Sequence, residues 1–220
     1  KKRTITRISG LILLLLLLAY AFTIEASDPV AEFYRERAAA VFESNDPLAG
    51  GVAYALATTS YYKKVDNRGN IAEVDSAGID LYYSFGKLDS QVTRFESADK
   101  FSDLDFSYPN VFSGNYRFSL FPNDTGGKEI ALGFDTPTET DPAPVGIAFI
   151  DRTAYTLDRL LLHYPTRENY RRLSRSFIFN RQKGMVFPDS VWEVGAKAGF
   201  LSTYYSRLET GVDTVRILSR

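Results

Sequence analysis

The chain has 220 residues, a formal net charge of −1 and no cysteine. The balanced charge and the apolar content of 45% are typical of a globular domain. A disordered chain and a nucleic-acid-binding protein are both disfavoured. The lack of cysteine excludes disulfides, thiolate metal sites, a cysteine nucleophile and a lipid-modified cysteine within this sequence.

The first 26 residues have the pattern of a signal peptide. Four cations, Lys1, Lys2, Arg3 and Arg7, precede an uninterrupted aliphatic run at residues 11–18. Small residues at Ala19 and Ala21, or at Ala26 further on, are typical of a cleavage site. The apolar stretch of residues 11–24 is shorter than the roughly 20 residues that a spanning helix needs. We expect residues 1–26 to be a signal peptide, with a short membrane anchor as the alternative.

A helix is predicted directly after this segment, at residues 29–43. Asp28 is a suitable N-cap, and Pro29 fits the first helical position. Apolar residues that include Phe33 and Val41 recur at helical spacing, so this side of the helix is expected to cover one face of a sheet.

Strand-like stretches fill most of the remaining chain. Apolar and polar residues alternate from residue 52 onwards, with turns at residues 66–70 and near Gly86, and again in a meander over residues 144–208. Residues 100–113 lack this periodicity and are expected to form a loop or a short helical lid. The predicted fold class is α+β and mostly β: one large antiparallel sheet, curved into an unclosed half-barrel, with an N-terminal helix and a loop or helix lid.

Charge is distributed unevenly along the chain. Residues 66–141 hold 14 acidic and 6 basic side chains, whereas residues 165–184 hold 6 basic and one acidic. The arginines of the basic stretch favour either a solvated face or a docking patch for an acidic partner or an anionic membrane. The candidate docking residues are Arg167, Arg171, Arg172 and Arg175.

No pattern of catalytic residues is present. His163 is the only histidine, it stands in an apolar strand, and no Gly-x-Ser-x-Gly elbow accompanies it. A zinc site is not expected without a second histidine or a cysteine, and no phosphate-binding glycine loop occurs. We therefore expect no catalytic residue, no metal and no cofactor.

The order of signal peptide, helix, strands, irregular loop and more strands resembles the LolA/LolB-like superfamily of periplasmic lipoprotein carriers and sorting proteins. The likeness is strongest over residues 115–135 and over VGIAFIDRTAYTLDRLLLHYP at residues 145–165. The resemblance implies a lipid-binding domain at residues 27–220, in which an unclosed barrel and its lid enclose acyl chains. It also implies a monomer in the periplasm whose partners are lipoprotein acyl chains or lipid and an inner- or outer-membrane protein, with no nucleic acid.

The alternating apolar residues of the strands supply the candidate lipid-binding site. The side chains expected to line it are Phe33, Val41, Leu81, Tyr83, Phe85, Tyr116, Phe118, Leu120, Leu132, Phe134, Ile147, Phe149, Phe177 and Phe179. The same alternation would also build a filled core, and the sequence leaves these two possibilities open. An integral outer-membrane barrel or a structural envelope protein is the alternative function, and an envelope enzyme is a weaker one.

Overall fold

The computed structural model of the chain describes most residues from Asp28 to Ser219. The described ranges are 28–47, 51–84, 87–95, 101, 104, 106–113, 115–121, 127–136, 143–164, 172–182, 184–198 and 203–219. The predicted signal peptide, the lining residue Phe85 and the docking residues Arg167 and Arg171 lie outside these ranges.

One helix precedes ten strands. Helix α1 spans Pro29–Asn45. The strands are β1 (Ala53–Asp66), β2 (Ile71–Ser84), β3 (Lys87–Phe95), β4 (Arg117–Leu120), β5 (Glu129–Asp135), β6 (Val145–Asp151), β7 (Leu157–Tyr164), β8 (Arg172–Gln182), β9 (Met185–Ala198) and β10 (Thr203–Ser219).

The ends of α1 follow from local side-chain chemistry. The Asp28 carboxylate accepts the backbone N–H of Val30 at 2.9 Å and that of Ala31 at 3.5 Å, as an N-cap does. Pro29 occupies the first turn, where its missing N–H costs no hydrogen bond. The predicted helix is therefore confirmed, and it continues two residues beyond the predicted end at residue 43.

All ten strands form a single antiparallel sheet in the order β3-β2-β1-β10-β9-β8-β7-β6-β5-β4. Strands that are consecutive in sequence pair with each other, except for β3 and β4. In addition, the last strand pairs with the first, β10 with β1 from Ala53 to Asp66. β3 and β4 lie at opposite edges, so the sheet is not closed into a barrel. The predicted open antiparallel architecture is confirmed.

The two faces of the sheet differ sharply in burial. On the inner face, which carries the core, side chains such as Leu56, Leu81, Leu132, Leu160 and Phe177 are fully buried. On the outer face, large side chains such as Tyr61, Trp192 and Val194 remain exposed. In the part of the chain that the structure describes, no helix has the length and apolar character needed to cross a membrane.

Candidate functional site

The candidate site is the inner face of the sheet together with its cover. Most of the predicted lining residues lie there. Leu81 and Tyr83 of β2, Phe118 of β4, Leu132 and Phe134 of β5, and Phe177 and Phe179 of β8 are all buried in one continuous cluster. Leu120 and Tyr116 are half-buried against the same cluster, and the Tyr116 ring meets the edge of Phe134 at 5.2 Å.

The prediction is wrong for Ile147 and Phe149 of β6. The buried residues of this strand are the alternate ones, Ala148 and Ile150, so Ile147 and Phe149 project from the outer face. The guanidinium of Arg159 lies 4.0 Å above the Phe149 ring on that face. β6 is apolar at both sets of alternating positions, and its sequence therefore does not reveal which set faces the core.

The predicted inner side of helix α1 is also wrong for Phe33. The helix buries Ala31, Ala38 and Phe42, whereas Phe33 is 46% exposed and packs against Tyr155 in the β6–β7 turn. Val41 is half-buried and borders a small cavity between the helix and the sheet. Two alanines and Phe42 make the close contact, so the helical spacing that included Phe33 indicated the wrong side.

The irregular residues 101–116, here called the lid, cover the inner face. Six of the lid's described side chains are buried: Phe101, Leu104, Phe106, Tyr108, Val111 and Phe112. The Tyr108 ring lies 5.7 Å from Phe177 and 4.9 Å from Phe179, and the Phe112 ring lies 6.4 Å from Phe118. The aromatic side chains of the lid thus rest directly on the residues predicted to line a ligand site. The sequence indicated a lid at this position, but its lack of periodicity hid the inward direction of these rings.

Three polar contacts tie the lid to the helix and to β2. The backbone N–H of Phe106 donates to the Tyr83 hydroxyl at 2.7 Å, and the Tyr108 hydroxyl donates to Asp46 Oδ1 at 3.2 Å. Arg35 Nη1 donates to the Phe112 carbonyl at 3.2 Å. Burial, and then the nearby Asp46 carboxylate, raise the pKa of Tyr108 well above its usual value, so the phenol stays protonated as a donor.

A fourth contact comes from an arginine that was predicted to dock a partner. Arg175 shares the inner face with Phe177, and only 12% of its side chain is exposed. Its Nε lies 3.3 Å from Glu193 Oε2, and its Nη1 donates to the Ser107 carbonyl at 3.3 Å. The structure therefore places Arg175 against the lid and not in an exposed docking patch. Docking stays a prediction for Arg167, Arg171 and Arg172; the side chain of Arg172, in β8, is not among those described.

A small cavity lies where helix α1 and Tyr108 of the lid meet the sheet. The cavity bordered by Val41, Phe42, Tyr108, Leu157 and Val186 has a volume of about 10 Å³, room for at most one water molecule. Where the described side chains of the lid rest on the inner face, a ligand chain would have to displace them.

No group of three or more histidine, aspartate and glutamate side chains within the described ranges could hold a metal ion. The single histidine, His163, is on the outer face, where its Nδ1 lies 3.1 Å from the Ser174 hydroxyl.

No family model matches the chain, and no curated protein matches it. Among solved structures, it is similar to a domain assigned to outer membrane lipoprotein sorting from Vibrio parahaemolyticus, with 10% identity, a TM-score of 0.49, and coverage of 85% of this chain and 93% of that chain. It is also similar to a DUF1329 family protein from Desulfovibrio piger, with 8% identity, a TM-score of 0.47, and coverage of 87% and 94%. A LolA superfamily protein from Nitrosomonas europaea aligns with 9% identity, a TM-score of 0.37, and coverage of 86% and 94%.

With identities of 8 to 10% and TM-scores below 0.5, these similarities assign neither a ligand nor a function to this chain.

Proposed function

We propose that this chain is a periplasmic carrier that shields the acyl chains of a lipid or lipoprotein, and that it binds them by exchanging its own lid side chains for the ligand. The supporting observation is the cover of the inner face. An irregular segment places Tyr108 and Phe112 against Phe177, Phe179 and Phe118. Regular secondary structure would lose its backbone hydrogen bonds on leaving this position, whereas this segment is tied by a few side-chain contacts.

The free energy gained by shielding an acyl chain and the free energy lost by opening the lid are comparable in size. Shielding about a dozen methylenes contributes on the order of 10 kcal/mol before ordering costs. Exposing a large apolar side chain costs roughly 1.5–3 kcal/mol, and each of the four polar contacts contributes about 1 kcal/mol. Releasing three of the lid's buried aromatic residues, Phe106, Tyr108 and Phe112, therefore costs about as much as one acyl chain returns. Reversible binding of one chain, and tighter binding of a ligand with several chains, are expected.

Export forms part of the same proposal. A carrier of this kind is needed where lipids must cross an aqueous compartment, and the signal-peptide pattern of residues 1–26 would deliver the chain to the periplasm. Arg167, Arg171 and Arg172 remain candidates for docking to an anionic membrane or to an acidic partner there.

The lid contact at Tyr83 gives a direct test. Tyr83→Phe removes the acceptor of the Phe106 N–H while leaving the ring in place, so the closed state should lose about 1–2 kcal/mol. Affinity for cis-parinaric acid, followed by its fluorescence, should rise by roughly 5- to 30-fold. Tyr82→Phe is the matched control, because Tyr82 is the adjacent residue on the other face of β2.

A second pair of variants tests the face that binds. Leu120→Asp places a charge at a half-buried position of the inner face and should abolish binding, whereas Phe149→Asp on the outer face should leave it unchanged. Native mass spectrometry of protein purified from the periplasm should show co-purifying lipid in the unmodified chain and none in folded Leu120→Asp. If no lipid co-purifies and Tyr83→Phe binds the probe no better than Tyr82→Phe, the inner face is an ordinary core and the proposal fails.

A further inference from the structure

The outer face of the sheet contains a groove that the proposed carrier function does not use. It follows β8, where the outward side chains Ser174 and Ser176 are small. Leu161 and His163 of β7 form one wall, since they pair with Ser176 and Ser174. Trp192 and Val194 of β9 form the other wall, paired with the same two serines. The groove has a volume of about 350 Å³, far larger than the cavity under the lid.

Three large apolar side chains of the walls are exposed to solvent. Trp192, the single tryptophan of the chain, is 42% exposed, and Val194 and Leu161 are 48% and 38% exposed. A partly exposed tryptophan beside a recess is a frequent anchor of a protein interface. A bilayer contacts a continuous protruding apolar surface, whereas here the apolar side chains stand on either side of a floor of two serines. The recess therefore favours an inserted ridge of side chains over a membrane.

The charged residues near the rim of the groove indicate which charge a partner's surface would carry there. Arg207 stacks on Trp192 with 4.9 Å between its guanidinium carbon and the ring, and Lys63 pairs with Arg207 across the β1–β10 ladder. Glu209 forms an ion pair with Arg207 at 3.0 Å, and Lys63 is exposed on β1, two strands from β9. Acidic residues on the flank of a partner would meet these cations beyond the Trp192 wall of the groove.

The spacing of the walls fits a helix. Residues two apart on a strand are separated by about 6.8 Å, which is the distance from Ser174 to Ser176 and from Trp192 to Val194 along the groove. Side chains at positions i and i+4 of a helix are about 6 Å apart along its axis. The geometry points to an amphipathic helix of a partner protein, with leucine-sized side chains at i and i+4 in the groove and acidic residues on its flanks. This helix binds the outer face whether the lid is open or closed.

Trp192 makes the test direct, because all tryptophan fluorescence of the chain arises from the groove. The probe is a synthetic 14-residue helical peptide with leucines at i, i+4 and i+7 and glutamates on its flanks. Titration should shift the Trp192 emission and saturate. Ser176→Leu fills the floor of the groove and should weaken binding by at least about tenfold. Ser90→Leu, on the exposed edge strand β3, is the matched control and should bind like the unmodified chain.

Two further titrations decide between occupants. A peptide with alanines in place of the leucines, and one with lysines in place of the glutamates, should each bind at least about tenfold more weakly. Equal binding of either control peptide, or equal binding by Ser176→Leu, would overturn the inference. So would an emission shift with phosphatidylglycerol vesicles and none with the acidic leucine peptide. Because Tyr83→Phe alters the lid and Ser176→Leu alters the groove, failure of one proposal leaves the other standing.

Discussion

Two glycines that both lie in strands differ in whether they can be replaced by a residue with a side chain. A Cβ added to Gly146 of β6 would lie 1.8 Å from the Leu161 carbonyl oxygen, an atom of the neighbouring backbone that cannot move away without disturbing the ladder. A Cβ added to Gly211 of β10 would have no atom within 4 Å. Gly146 is thus a requirement of close strand approach, whereas Gly211 is not.

We expect Gly146→Ala to lower the free energy of unfolding by about 1–3 kcal/mol, because overpacking forces the strands apart. Gly211→Ala should be neutral or slightly stabilising, since alanine restricts the unfolded chain more than glycine does. Urea unfolding monitored by circular dichroism measures both. Equal midpoints for the two variants would contradict the contact at Gly146.

At the scale of elements, two carboxylates flank the turn between β6 and β7, and their environments shift their pKa values in opposite directions. Asp151 Oδ1 accepts the backbone N–H groups of Thr153 and Ala154, each at 2.8 Å. These bonds, together with Lys128, lower the pKa of Asp151 despite partial burial. Burial, followed by the charges of Asp151 and Glu129, raises the pKa of Asp158. The turn is therefore stabilised by one ionised carboxylate and destabilised by the other.

The raised pKa of Asp158 predicts how the stability effect of Asp158→Asn depends on pH. Because the folded pKa of Asp158 lies above its ordinary value of 3.8, ionisation at neutral pH favours the unfolded chain. Asp158→Asn should raise the Tm at pH 7, and the gain should shrink as the pH falls through the folded pKa and vanish below the ordinary one. Thermal scans from pH 3 to pH 7 measure it, with the exposed Asp189→Asn as control. A gain that is the same at pH 3 would show that charge is not its cause.

The lid is the element whose role depends most on its surroundings. None of its described residues belongs to a strand, and their position depends on buried rings and on contacts to α1, β2 and β8. Elements with few backbone hydrogen bonds and local polar ties are the ones that open below the global unfolding free energy. This makes the lid, rather than any strand, the part of the fold suited to exchange with a ligand.

At the scale of the whole molecule, the carrier proposal requires export. Expression in a bacterial host with the full sequence should yield a periplasmic protein that begins after Ala21 or Ala26, because the basic residues and the leucine run have the pattern of a signal for secretion. Mass spectrometry of the purified protein measures the first residue. A cytoplasmic protein that retains residues 1–26 would contradict export, and a membrane-bound protein that retains them would favour the anchor.

The sequence by itself determined the features that depend on residues close together along the chain. The Asp28 cap, the turn at residues 66–70 and the inward side of β2, β4 and β8 were predictable, because capping, turns and a clear alternation of apolar and polar residues depend on neighbours along the chain. Only the tertiary structure decided which side of β6 and α1 is buried, since both sides of β6 are apolar and the helix packs through Ala31, Ala38 and Phe42. Likewise, the filling of the inner face by Tyr108 and Phe112, and the groove formed by Ser176 between Leu161 and Trp192, depend on strand pairing. That pairing joins residues distant in sequence, and no local pattern records it.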